Sequence, residues 1–111
     1  MALRVLARVN LAAIERNVAR LRRELAPATG LCAVVKADGY GHGAVQSARA
    51  AIAGGASWLA VVSAQELGEL RAAPGLEQIP VLVMGALTRG ELRRALADRG
   101  EVVVWDEAEL R

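Results

Sequence analysis

Lys36 is the only lysine in a 111-residue chain whose lysines and arginines together number 14. Everywhere else that a positive charge is written, it is written as arginine. A primary amine can shed its proton and attack a carbonyl, whereas a guanidinium stays protonated, so the single lysine marks a position where arginine would not serve. An arginine-rich proteome produces the same bias, and a lysine at a strand end can also simply reach out to water. The residues that follow sharpen the choice. Lys36-Ala37-Asp38-Gly39-Tyr40-Gly41-His42-Gly43 holds the only Lys, the only Tyr and the only His of the chain. Gly39, Gly41 and Gly43 let backbone N–H groups approach a ligand closely, and the start of a following helix favours an anion such as phosphate. Tyr40, four residues after Lys36, could donate its hydroxyl to that anion, or it could be a packed aromatic with its hydroxyl in water. His42 could polarise a ligand or be a structural residue at a helix start.

The elements that must position this stretch are legible as a repeat. Leu31–Lys36, Ser57–Val62, Ile79–Met84 and Glu101–Trp105 are short, near-continuously apolar runs, as expected of parallel strands buried on both faces. Their starts lie roughly 22 to 26 residues apart, the spacing of a βα repeat. Leu11, Ile14, Val18, Leu21 and Leu25 form an apolar stripe that begins after Asn10 as N-cap and ends at Pro27 and Gly30. Further helices are expected from about Ala44 to Ala53, Ala64 to Ala73 and Arg89 to Arg99, stopped by Gly54-Gly55, Pro74-Gly75 and Gly100. Strands alternating with helices predict an α/β fold with a parallel sheet. Ser63 with Glu66, Thr88 with Glu91 and Asp106 with Glu109 read as capping boxes, so helix initiation alone explains three of the four strand-to-helix junctions. The junction after the first strand is the exception, and strand C-termini are where a β/α barrel places its active-site residues.

Composition narrows the class. Hydrophobic residues make up 54% of the chain, enough for a packed core and against disorder. No apolar run approaches the ~20 residues of a bilayer span, and arginines and Asn10 interrupt any signal-like start. One cysteine, Cys32, cannot form an internal disulfide, which favours a soluble cytoplasmic protein. The net charge is +2; Arg16, Arg20 and Arg23 recur at helical spacing, but Glu15 and Glu24 are interspersed and aromatics are only 3%. That pattern reads as a solvated helix face rather than a nucleic-acid stripe.

One rival reading fits the same glycines. Gly39-Tyr40-Gly41-His42-Gly43-Ala44 matches the G-x-G-x-x-G/A dinucleotide fingerprint, with Glu66 as the later acid. Against it, Lys36-Ala37-Asp38 separate the glycines from the strand, and Glu66 lies inside a capping box rather than at a strand end.

The run Val34-Val35-Lys36-Ala37-Asp38-Gly39-Tyr40-Gly41-His42-Gly43-Ala44 resembles the signature of bacterial alanine racemases. Val9–Asn17 is similar to that family's approach to its first helix, and Gly55–Val61 and Pro80–Gly85 to its next two strands. Family members commonly carry Asn-Ala where this chain has Asp38-Gly39. The resemblance implies a pyridoxal 5'-phosphate (PLP) enzyme of fold type III, with an N-terminal eight-stranded TIM-type barrel, a C-terminal β domain and a homodimer. Lys36 would hold PLP as a Schiff base and act as the base on the D-alanine side. Tyr40 would bind the phosphate, and Met84, at a position usually occupied by Leu, would pack beside the cofactor ring; no metal is implied. The activity implied is interconversion of L-alanine and D-alanine for peptidoglycan precursors.

A closed barrel takes about 250 residues and only four βα units are present, so residues 1–111 read as a partial barrel with the remaining barrel and the C-terminal domain absent. The second base, a tyrosine from the partner subunit, the arginine at the pyridine nitrogen and the later phosphate contacts have no counterpart here. The 111 residues alone are therefore expected to be inactive, with an apolar sheet edge prone to association. Two related readings are a PLP barrel acting on serine or a basic amino acid, and a non-catalytic PLP-binding carrier, which lacks the Gly-Tyr-Gly-His-Gly run.

Overall fold

A computed structural model describes residues 3–111. The elements run α1 (Leu11–Glu24), β1 (Cys32–Val34), a five-residue turn α2 (Lys36–Tyr40), α3 (Ala44–Gly54), β2 (Trp58–Val61), α4 (Ala64–Arg71), β3 (Val81–Val83), α5 (Arg89–Ala97) and β4 (Glu101–Val102), followed by a 3-10 turn over Glu107–Leu110. The strands pair in parallel in the order β1-β2-β3-β4. Register aligns Val34 with Ala60, Ala60 with Leu82, and Leu82 with Glu101. No helix among the described residues is long and apolar enough to cross a membrane.

The alternation of strand side chains divides this sheet into two unlike faces. Leu59, Val61, Val81 and Val83 are fully buried against Leu67, Leu70, Ala64 and Ala48 of the helices, and Val35 joins them. The other face carries Cys32, Val34, Ala60, Val62, Leu82 and Met84 in turn. It is partly open: Val34 and Val62 are each 38% exposed. The expectation of strands buried on both faces thus holds for one face only. The inward face of a barrel is filled by layers from facing strands, and four strands on one arc have none opposite. β4 is likewise shorter than the expected Glu101–Trp105, because its only ladder is to β3.

Helix starts follow side-chain chemistry. Asn10 Oδ1 accepts the Ala13 N–H at 3.0 Å at the start of α1. Thr88 and Glu91 form a reciprocal capping box on α5. α1 buries less than its apolar stripe predicts: Leu11 and Leu21 are exposed, while Ile14, Val18 and Leu25 are half-buried. It meets α3 where that helix ends in Gly54-Gly55. A Cβ on Gly54 would stand 2.5 Å from the Glu15 carbonyl oxygen and 2.8 Å from Val18 Cβ, so the two helices touch through backbone.

Arg71, at the end of α4, ties the far ends of the units together. Its guanidinium donates to the carbonyls of Leu76 (2.9 Å), Ile79 (2.7 Å), Asp98 (2.9 Å) and Arg99 (3.2 Å). Burial, with the neighbouring Arg99, pushes its pKa down, opposed by Asp98.

Two stability predictions follow from these contacts, both read by urea unfolding of the full polypeptide. Gly54→Ala gains up to about 1 kcal/mol of helix propensity, but overpacking against the α1 backbone costs about 1–3 kcal/mol; a net loss of stability is expected, and a net gain would contradict the close approach. Arg71→Ala strands four carbonyls and should cost about 2–3 kcal/mol, and a loss below the scatter of surface substitutions would show that the four bonds contribute nothing.

Candidate active site

Lys36 directly follows β1 and Val35. Val35 leaves the extended conformation, with ψ of 25°, so the strand alternation ends before Lys36, which stands at the C-terminal edge of the sheet with Val62 and Met84, the residues that follow β2 and β3. Met84 is two strands away, about 10 Å at the usual strand spacing. The ends of β2 and β3 are drawn together there: Met84 N–H donates to the Val61 carbonyl at 2.7 Å, and a Cβ on Gly85 would collide with the Val62 carbonyl oxygen. Lys36 is half-buried and its Nζ stands 6.0 Å from the centroid of the Tyr40 ring, the outer limit of a cation–π contact. Lys36 and Tyr40 follow β1 and Met84 follows β3, at the C-terminal ends of the strands.

The chain leaves Lys36 in an unusual way. Ala37, Asp38, Gly39 and Tyr40 are all left-handed, with φ of 52, 55, 64 and 56°. For L-residues this conformation costs about 1–2 kcal/mol each, and only Gly39 escapes most of that cost. The turn is held by Gly39 N–H to the Val35 carbonyl (2.9 Å), Gly41 N–H to Ala37 (3.0 Å) and Gly43 N–H to Asp38 (2.8 Å). Strain of this kind persists where the surroundings impose it, which is commonly at functional sites. Tyr40 is 59% exposed beside Lys36.

The glycine run does not behave as expected. The first turn of α3 is already met by an anion of its own: Asp38 Oδ1 accepts the Ala44 N–H at 2.9 Å, and the Gly43 carbonyl accepts the Ser47 N–H. His42 turns its Nδ1 to the Gly39 carbonyl at 3.0 Å, the structural role. One N–H of the helix start, that of Ala44, is therefore already engaged within the chain.

Glu66 also departs from its reading. Ser63 Oγ accepts the Glu66 N–H at 3.1 Å as a cap should. The Glu66 carboxylate, however, does not return to Ser63: Oε1 accepts from Val62 N–H at 2.8 Å and Oε2 from Ala37 N–H at 2.7 Å. Helix initiation alone does not account for it. Both oxygens being engaged, Glu66 is not available to a ribose, and the glycines form a left-handed turn rather than a phosphate loop; the dinucleotide reading fails on both counts. Nothing in the sequence signals the Ala37 contact, since its partner is a backbone N–H 29 positions away.

Other chemistry is absent or suppressed. Burial, and secondarily the Glu101 carboxylate, push the Cys32 thiol pKa up, so this cysteine is held in its weakly nucleophilic protonated form. Among the described residues no cluster of three or more His, Cys, Asp or Glu could hold a metal ion.

Comparison with known proteins agrees with this geometry. The family described as "Alanine racemase, N-terminal domain" matches residues 9–111. Alanine racemase of Streptomyces coelicolor is 47% identical over 92% of this chain and 26% of its own length; that of Desulforamulus reducens is 44% identical over 81% and 24%. Among solved structures, alanine racemase from E. faecalis superposes with a TM-score of 0.86 at 37% identity, over 92% of this chain and 27% of that one. The Bacillus anthracis enzyme with bound L-Ala-P gives 0.83 at 30% identity, over 90% and 25%. The chain thus spans about a quarter of the length of the relatives it matches. With a parallel four-unit portion of a TIM-type barrel, the lysine motif at its C-terminal edge and a family match over 103 of 111 positions, the chain belongs to the alanine racemase N-terminal domain family.

Proposed function

We propose that this chain supplies the lysine-bearing part of a PLP-dependent alanine racemase, residues 1–111 forming the first four βα units of its barrel. The observation that carries this reading is the strained left-handed turn that sets a half-buried amine and an exposed phenol side by side at the strand ends. The donor set fits PLP: a primary amine for its aldehyde, a hydroxyl for its phosphate, and a thioether on the same edge to lie against its ring. When bound, the cofactor supplies an electron sink for the deprotonated Cα of the amino acid.

In this scheme Lys36 Nζ holds the cofactor covalently and moves a proton at the alanine Cα on the D-alanine side. Tyr40 Oη would hold the phosphate by donating a hydrogen bond, and Met84 would lie beside the ring. Racemisation removes a proton from one side of Cα and returns one to the other. Lys36 serves one side, so we assign the opposite base to a partner subunit, which makes the working form a homodimer. The single cysteine suits a reducing, cytoplasmic compartment, and the likeness to alanine racemases supports a role in peptidoglycan precursor supply.

The test is alanine turnover by the full polypeptide with saturating PLP. Wild type should interconvert L- and D-alanine, and Lys36→Ala should lose about 10²–10⁴-fold or more, as removal of an acid–base group does. Tyr40→Phe should fold normally but hold PLP roughly 10- to 100-fold more weakly, the worth of about 1.5–3 kcal/mol for a hydrogen bond to a charged group. The 111 residues alone should show no turnover. Turnover that survives Lys36→Ala would overturn the assignment.

A further inference from the structure

We propose that Glu66 is a positioning residue for Lys36, its carboxylate clamping the backbone directly after the lysine to the end of the neighbouring strand; this rests on the reading of Lys36 as the cofactor-holding amine. The left-handed turn explains why a clamp is needed. The Ala37 N–H opens that turn, where no helical carbonyl lies behind it to accept, and β1 has ended, so it has neither helix nor ladder to enter. Glu66 Oε2 accepts it at 2.7 Å, while Oε1 takes the Val62 N–H at 2.8 Å. One side chain therefore joins the residue after Lys36 to the residue that directly follows β2.

The other capping acids show that this is more than a helix start. Glu91 returns to its own cap, receiving the Thr88 N–H at 2.7 Å. Glu109 receives the Trp105 N–H, one residue before its cap, as Glu66 does with Val62. Only Glu66 uses its second oxygen on another strand end. Two charge-assisted bonds on backbone donors fix the Lys36–Ala37 peptide plane and with it the direction of the lysine side chain. Released from the clamp, Ala37 can leave the left-handed region, and the amine loses its fixed seat. Misplacement of a reacting group by about 1 Å costs up to 10²-fold in rate.

The experiment uses the full polypeptide, as wild type, Glu66→Gln and Glu91→Gln. Glutamine keeps the size of Glu66 but removes the charge that strengthens both bonds and leaves one acceptor oxygen for two N–H donors, so the clamp weakens at both, while Ser63 still caps α4. In the cofactor-free protein, amide exchange at Ala37 and Val62 should quicken at least tenfold in Glu66→Gln and stay unchanged in Glu91→Gln. With PLP, the borohydride-sensitive absorbance band that depends on Lys36 should form at least tenfold more slowly in Glu66→Gln. Its kcat for alanine should fall at least tenfold, with KM within about twofold. Glu91→Gln should match wild type in both. Wild-type exchange, band formation and kcat in Glu66→Gln would overturn the proposal, and so would equal losses in the two variants, which would make Glu66 a helix cap only. A wild type without any lysine-dependent band would instead overturn the reading of Lys36 itself, whereas a band present in wild type and unaltered in Glu66→Gln would spare that reading and remove the clamp. Should Glu66→Gln prove too unstable for kinetics, the amide exchange of Ala37 still decides.

Discussion

The backbone reverses its hand directly after Lys36, and the site is organised around that reversal. A right-handed helix beginning at the end of β1 would also leave its first N–H groups without helical partners and would also keep residues 36 and 40 on one face. In the left-handed run from Ala37 to Tyr40 that is observed, Tyr40 stands exposed beside Lys36. Three non-glycine residues adopt a conformation that each disfavours by about 1–2 kcal/mol. The surroundings offset this strain locally, through Glu66 on Ala37, Asp38 on Ala44, and the backbone bonds of Gly39, Gly41 and Gly43.

The rest of the fold serves to hold that reversal still. The apolar residues of β2 and β3 on the helix side, with Leu67 and Leu70 of α4, form a fully buried layer under the site. α4 therefore presents Glu66 from a packed helix rather than a loop. Gly39 is pressed against α3, where an added Cβ would stand 3.1 Å from Ser47 Oγ and 3.3 Å from Ala44 N. At the opposite end, Arg71 joins four loop carbonyls. Strain at the strand C-termini is thus matched by close packing beneath and hydrogen bonding at the base.

Much of this was legible in the residues. Asn10 and Thr88 announce their helices because a capping side chain acts on N–H groups two or three residues away, and Gly54-Gly55 announces the end of α3. Lys36 and Tyr40 stand out because their residue types occur once each. What was not legible depends on tertiary neighbours. The exposure of Val34 and Val62 follows from what faces the sheet, not from their hydropathy. Asp38 reads as part of a motif, yet its Oδ1 accepts the first N–H of α3. Glu66 fits a capping box by spacing, and only the approach of β1 to β2 reveals that it reaches Ala37. The glycine pattern also encodes the reversed turn, since Gly39, Gly41 and Gly43 all adopt positive φ.

The central claim is that the amine of Lys36 is placed to carry PLP covalently. Its most direct test is to reduce the PLP-loaded full polypeptide with borohydride and map the modified peptide by mass spectrometry. A pyridoxyl group on Lys36, at one per chain, is the predicted result. Modification at another lysine, or none, would contradict it.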